Sequence, residues 1–199
     1  MDPARLEAVR DELVSSLGAW ERDRETMLAA SRKCIRACSK AIQAVHGGRL
    51  DDAQARLGEA RKALDEALVV HPGEGQSEGL RPTAQQEYVE AALLIGLVEH
   101  DRILTPAEVD VPALAYALGV ADLVGELRRR TLDLLRAGDR AGAERTFEVM
   151  GVLFEFLQAL EFQDGVTPGL RRKRDVARNL VERTREVLTQ AAVAHGPGA

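Results

Sequence analysis

Apolar residues recur at intervals of three and four along almost the whole chain, and no segment shows a convincing two-residue alternation of β-branched side chains. The pattern predicts an all-α protein. Pro3 suits the first turn of a long helix that runs, with a bend near Gly18, to the stop "HGG" at 46–48. "RLDDAQARLGEARKALDEALVV" predicts a second helix, closed by the loop-like "HPGEGQSEG". A third is predicted over "PTAQQEYVEAALLIGLVEHDRIL", and "TPAEVDVP" connects it to a fourth from about Pro112 to Ala137, stopped at Gly138. "DRAGAERTFEVMGVLFEFLQALEF" predicts a fifth helix, "QDGVTPG" a turn, and "LRRKRDVARNLVERTREVLTQAAVA" the last helix before a frayed tail at 195–199. About six helices joined by short loops make a bundle. "GGRLDDAQARLGEA" and "AGDRAGAERTFEVM" resemble the second helix of a tetratricopeptide repeat. They begin roughly ninety residues apart, not the ~34 of a stacked array, so the bundle is preferred to a solenoid.

A chain of 199 residues, 45% of them hydrophobic, can bury a core as one domain over 1–199. The net charge of -5 and pI near 5.5 exclude a protein that coats nucleic acid by bulk charge and leave room only for a local basic track. Cys34 and Cys38 stand one helical turn apart and are expected to pack inward as small apolar side chains. No disulfide framework is visible, which suits a reducing compartment. The opening "MDPARLEAVRDELV" carries charge through every turn, unlike a signal or transit sequence, and the longest uncharged apolar run, "AALLIGLV", is too short for a bilayer. The expectation is a soluble, cytoplasmic protein with no membrane partner.

Two helices carry acids in places where a helix normally buries apolar surface. "YVEAALLIGLV" is apolar on every side except at Glu90, so that helix is expected to be buried. Glu87 and Glu90 share a face continued by Ala91, Leu94 and Val98, which places at least Glu90 where water is scarce. A lone ionised carboxylate there costs several kcal/mol or takes up a proton, so arginine or metal must answer it. In "GVADLVGELRR", Asp122, Glu126 and Arg129 share one face, while Val120, Leu123, Val124 and Leu127 share the other. If these two helices pack together, four carboxylates meet, and Gly119 and Gly125 allow a close backbone approach. Oxygen-only ligands select Mg²⁺ or Mn²⁺ over zinc. A ferritin-like di-iron site would need a glutamate three residues before a histidine, which none of His46, His71, His100 and His195 has. The alternative is that the acids simply meet arginines from "LRRR" at 127–130 and "LRRKR" at 170–174. Periodicity alone leaves both open.

The last helix adds a basic stripe. Arg171, Arg174, Arg178 and Arg185 fall on one face, with Val176, Leu180 and Val187 turned away, and residues 171–185 hold seven arginines or lysines, Arg172 among them, against two acids. The stripe is either a solvated face or a track for a phosphate backbone. Aromatic residues are scarce, which argues against recognition by base stacking.

"SRKCIRACSKAIQAVHGG", "QQEYVEAALL", "YALGVADLVGELRR" and "GLRRKRDVARNLVERTREVL" follow one another as in the translin family, comprising translin, translin-associated factor X (Trax) and archaeal relatives, and the chain resembles that family over nearly its whole length. The resemblance implies an α-helical subunit of a closed octamer that binds single-stranded RNA or DNA and acts as a Mg²⁺-dependent endoribonuclease. It further implies that Glu87, Glu90, Asp122 and Glu126 are the catalytic, metal-binding acids of a Trax-type subunit. Arg129, Arg171, Arg172, Arg174, Arg178 and Arg185 would then hold nucleic acid. Ala115 departs from the family pattern, in which an acid often precedes the tyrosine. A closed shell also implies that flexible single strands enter more readily than duplex. Competing with the nuclease are a translin-like nucleic-acid-binding protein with weak catalysis and a structural helical scaffold.

Overall fold

The computed structural model describes residues 2–69 and 80–195. The loop expected at "HPGEGQSEG" and all of the expected tail except His195 lie outside them. Seven helices are present among the described residues: α1 Pro3–His46, α2 Leu50–Val69, α3 Leu80–His100, α4 Pro106–Val109, α5 Ala113–Arg136, α6 Arg140–Ala159 and α7 Leu170–His195. The fold is all-α as expected, and no strand occurs among the described residues. The additional element, α4, is a single turn inside "TPAEVDVP". Thr105 caps it, exchanging hydrogen bonds with Glu108 in a capping box.

α1 has 44 residues without interruption, so Gly18 sits inside one helix about 66 Å long. Residues 2–26 are exposed or half-exposed throughout, and Leu6, Val9, Leu13, Leu17 and Trp20 line up in the open. From Met27 onward the same side of the helix enters the core as Met27, Ser31, Cys34, Cys38, Ala41 and Val45. Both thiols are fully buried, as their helical spacing predicted, and Cys34 Sγ also reaches the carbonyl oxygen of Ala84 at 3.7 Å.

α3 and α5 form the centre. α3 packs on α1, α2 and α5, while α5 also carries α6 and α7 on its other side. Val89, Ala91, Leu93 and Leu94 of α3 are fully buried, as are Leu123 and Val124 of α5, with Val120 and Leu127 nearly so. The two helices meet at Gly119, where a Cβ would stand 2.6 Å from Val89 Cβ and 2.8 Å from the Gln86 carbonyl oxygen. A methyl group there must push backbone apart, so Gly119→Ala is expected to lower stability by about 1–3 kcal/mol, measured by urea unfolding. An unchanged midpoint would show that the two helices part at no cost. Gly125 plays no such part, because its nearest neighbour would be Leu180 Cδ1 at 3.8 Å, an ordinary contact.

α7 buries Leu170, Ala177, Val181, Thr184 and Leu188 against α5 and α6. Val176, on the flank away from the arginines as expected, is nonetheless exposed, while Leu180 and Val187 are half-buried. Among the described residues no helix is long and apolar enough to cross a membrane.

Candidate functional site

Packing α3 against α5 at Gly119 brings Glu87 and Glu90 within electrostatic range of Asp122 and Glu126. Glu90 is only 8% exposed, and among the described residues no hydrogen bond or ion pair reaches it or Glu87. Burial raises the carboxyl of Glu90 first, and the negative charges of Asp122, Glu87 and Glu126 raise it further, to about 8. Glu87 is raised by burial, then by Asp122 and Glu126, with Lys173 acting in the opposite direction. The same field extends to α1. The Cys38 thiol is pushed far up by its contact with Cys34, by burial, and by Glu87 and Glu90.

The two acids of α5 are answered differently from those of α3. Asp122 is held on both oxygens, by the Lys173 ammonium of α7 on Oδ1 and by Gln86 Nε2 of α3 on Oδ2. Glu126 Oε2 takes a hydrogen bond from His46 Nε2 at the end of α1, at 2.6 Å, and the His46 side chain is 4% exposed. Arg129 stands a turn away, 4.0 Å from the same oxygen and half-exposed. Sequence reasoning missed Lys173, Gln86 and His46. The expected arginines of "LRRKR" do not reach the acids: among the described residues Arg171, Arg172, Arg174, Arg178 and Arg185 form no ion pair with any of the four.

The site draws its acids from α3 and α5, a cation from α7 and a hydrogen-bonding imidazole from α1. Its donor set suits a hard divalent cation in chemistry, being all carboxylate, and in charge, since Glu90 and Glu87 have no cation bonded to them among the described residues. In geometry it is not gathered: among the described residues no group of three or more His, Cys, Asp or Glu side chains stands placed to hold a metal ion. The carboxylates are near enough to disturb one another's protons, while Asp122 and Glu126 are turned to protein partners.

The arginine stripe lies along the edge of α7 that meets α6. The Arg178 guanidinium lies 5.9 Å from the Phe154 ring centroid and Arg185 5.8 Å from that of Phe147, which fixes both side chains against α6. Arg178 also pairs with Asp175 at 3.4 Å. Arg174 is half-buried and its Nε, shielded from solvent, has no hydrogen-bond partner among the described residues. Arg171 and Arg172 are exposed.

Residues 23–193 match the Translin family. An uncharacterised protein of Methanocaldococcus jannaschii is 32% identical over 176 residues, covering 86% of this chain and 78% of that protein. Among solved structures, AfC3PO in complex with duplex RNA is 33% identical, superposes with a TM-score of 0.83, and is covered over 97% of its length by 96% of this chain. Apo-NeC3PO, 20% identical, shares the fold with a TM-score of 0.84 over 96% of this chain and 99% of its own. The match runs from the inner half of α1 almost to the end of α7, through both acid-bearing helices and the basic stripe; the chain belongs to the translin family.

Proposed function

We propose that this protein binds RNA along α7 and cleaves it as a Mg²⁺- or Mn²⁺-dependent endoribonuclease at the carboxylates of α3 and α5. The observation that carries this reading is Glu90, a carboxyl group buried to 8% exposure among three other acids with no cation bonded to it among the described residues. Such a group is costly to the fold, and acid clusters of this kind concentrate where a site needs them. Glu87, Glu90, Asp122 and Glu126 would hold the metal, which when bound polarises a phosphodiester and eases deprotonation of an attacking water. Gln86 holds one oxygen of Asp122 and His46 one oxygen of Glu126, so both carboxylates are oriented before substrate arrives. Arg129, exposed beside Glu126, would take a phosphate oxygen. The 33%-identical AfC3PO binds duplex RNA, which supports RNA as the ligand class and a translin-type assembly. We extend the proposal to single-stranded RNA and DNA as ligands, to a homo-octameric shell, and to a cytoplasmic setting.

Purified protein is expected to cleave single-stranded RNA in Mg²⁺ or Mn²⁺ and to stop on addition of EDTA. Cleavage that survives EDTA and dialysis would overturn the metal reading. Single strands are expected to be cut faster than duplex of the same sequence, and equal rates would count against entry through a closed shell. A second reading, a binding protein with little catalysis, is favoured by the engagement of Asp122 with Lys173 and of Glu126 with His46. Tight RNA binding with no cleavage in either metal would select it.

The arginine stripe makes a separate prediction. Replacing Arg174 and Arg178 with alanine is expected to weaken single-stranded RNA binding and to reduce the slope of log affinity against log salt by about 0.7 for each phosphate that is no longer neutralised. An unchanged salt slope would make the stripe a solvated face.

A further inference from the structure

Among the described residues, Lys173 is the one cation bonded to an acid of α3 or α5 from the helix that carries the basic stripe. Its ammonium pairs with Asp122 Oδ1, and its charge also lowers the proton affinity of Glu87 and Glu90, so a single lysine serves three carboxylates. It stands on the inward side of α7, in phase with the buried Leu170, Ala177, Val181, Thr184 and Leu188, while Arg171 and Arg172 are exposed and the half-buried Arg174 forms no ion pair with the four acids among the described residues. The side chain is nevertheless 30% exposed, with a long flexible stem, so the ammonium can swing toward solvent without leaving the site. A divalent ion bound at these acids competes with the ammonium for the oxygens of Asp122 and repels it at short range.

We propose that Lys173 is the resident counter-cation of the carboxylate site: it pairs with Asp122 in the metal-free protein and, released on loading with a divalent cation, contacts the phosphate of the RNA substrate. The inference rests on the metal-dependent reading above and adds to it a residue with two successive partners. No bond is made or broken in the exchange. The ammonium stays protonated and trades one oxygen anion for another. The consequence is a coupling between metal and RNA: loading frees a positive charge for the backbone, and RNA that occupies the ammonium leaves Asp122 free for metal. By linkage each ligand then favours the other.

The two roles pull one variant in opposite directions. Lys173→Gln keeps an N–H donor for Asp122 and removes only the charge. In the full-length protein without RNA, its affinity for Mn²⁺, measured by isothermal titration calorimetry, is expected to rise about tenfold, because a competing cation is gone. In Mn²⁺, the salt slope of single-stranded RNA binding is expected to fall by about 0.7, the equivalent of one phosphate, whereas in EDTA it stays at the wild-type value. Lys173→Arg should restore the slope in Mn²⁺. Circular dichroism checks folding, and Lys173→Met serves as the second charge-free variant should the glutamine protein unfold. A purely structural lysine would leave Mn²⁺ affinity unchanged or lower it, and would leave both salt slopes alike; either result overturns the proposal. If the wild type itself binds no Mn²⁺, the metal reading fails and the exchange fails with it. If the wild type binds Mn²⁺ and cleaves RNA while the variant shows no rise in affinity, the exchange alone is overturned.

Discussion

Asp122→Asn is expected to cut RNA cleavage by about 10²–10³-fold, the scale seen when one group that stabilises charge in a transition state is removed. RNA affinity should remain equal or rise, since the change deletes a negative charge near the phosphate. The substitution is nearly isosteric, and Asn keeps an oxygen that Gln86 or Lys173 can use, so the join of α3, α5 and α7 survives. Measuring kcat and the dissociation constant on one single-stranded substrate separates the outcomes. Loss of cleavage with binding retained places Asp122 in the chemistry. Cleavage within a factor of about two of wild type would mean that Asp122 only ties helices together.

Glu90→Gln is expected to stabilise the metal-free protein, increasingly so as pH rises. The folded-state carboxyl sits at about 8 against an ordinary value of 4.5, so the folded protein holds a proton that the unfolded chain has lost. Stability therefore falls as pH climbs from about 4.5 to about 8, and levels off once both states are ionised. At about 1.4 kcal/mol per unit, the deficit at pH 8 is on the order of 3–5 kcal/mol. Glutamine carries no proton to lose. In EDTA, melting curves of variant and wild type should coincide near pH 4 and separate toward pH 8, with the variant higher. Mn²⁺ should narrow the gap by binding the folded wild type. A buried carboxylate–arginine pair would produce the reverse, a variant less stable at neutral pH. That result in EDTA would remove the argument for an uncompensated acid.

Much of this was legible in the chain. A helix apolar on all sides except at one glutamate announces a buried acid, and Glu90 is one; Val120, Leu123, Val124 and Leu127 are buried as their spacing required. The single turn of α4 escaped because four residues are too few to show a period, although Thr105 and Glu108 carried the spacing of a capping box. Lys173 was hidden in a run of four cations, where composition suggests one solvated stripe. Its phase, three residues after Leu170 and four before Ala177, turns it inward, but Arg174 shares that side, so phase alone does not tell which of the two meets Asp122. His46 left no local signal, because it meets Glu126 across 80 residues of chain and no periodicity links separate helices. Nor does a helical pattern tell a glycine under a crossing helix, Gly119, from one in ordinary contact, Gly125.

The sealed thiols of α1 give the carboxylate site a chemical clock. Cys38 is fully buried, protonated, and close enough to Glu87 and Glu90 to feel their charge, so it reacts with an alkylating reagent only while the surrounding helices are open. The rate of thiol modification in the native protein then tracks the population of the open form of the region that holds the acids. Metal or RNA that closes this region slows the clock, and a variant that loosens it speeds the clock, with no need for catalytic turnover to be observed.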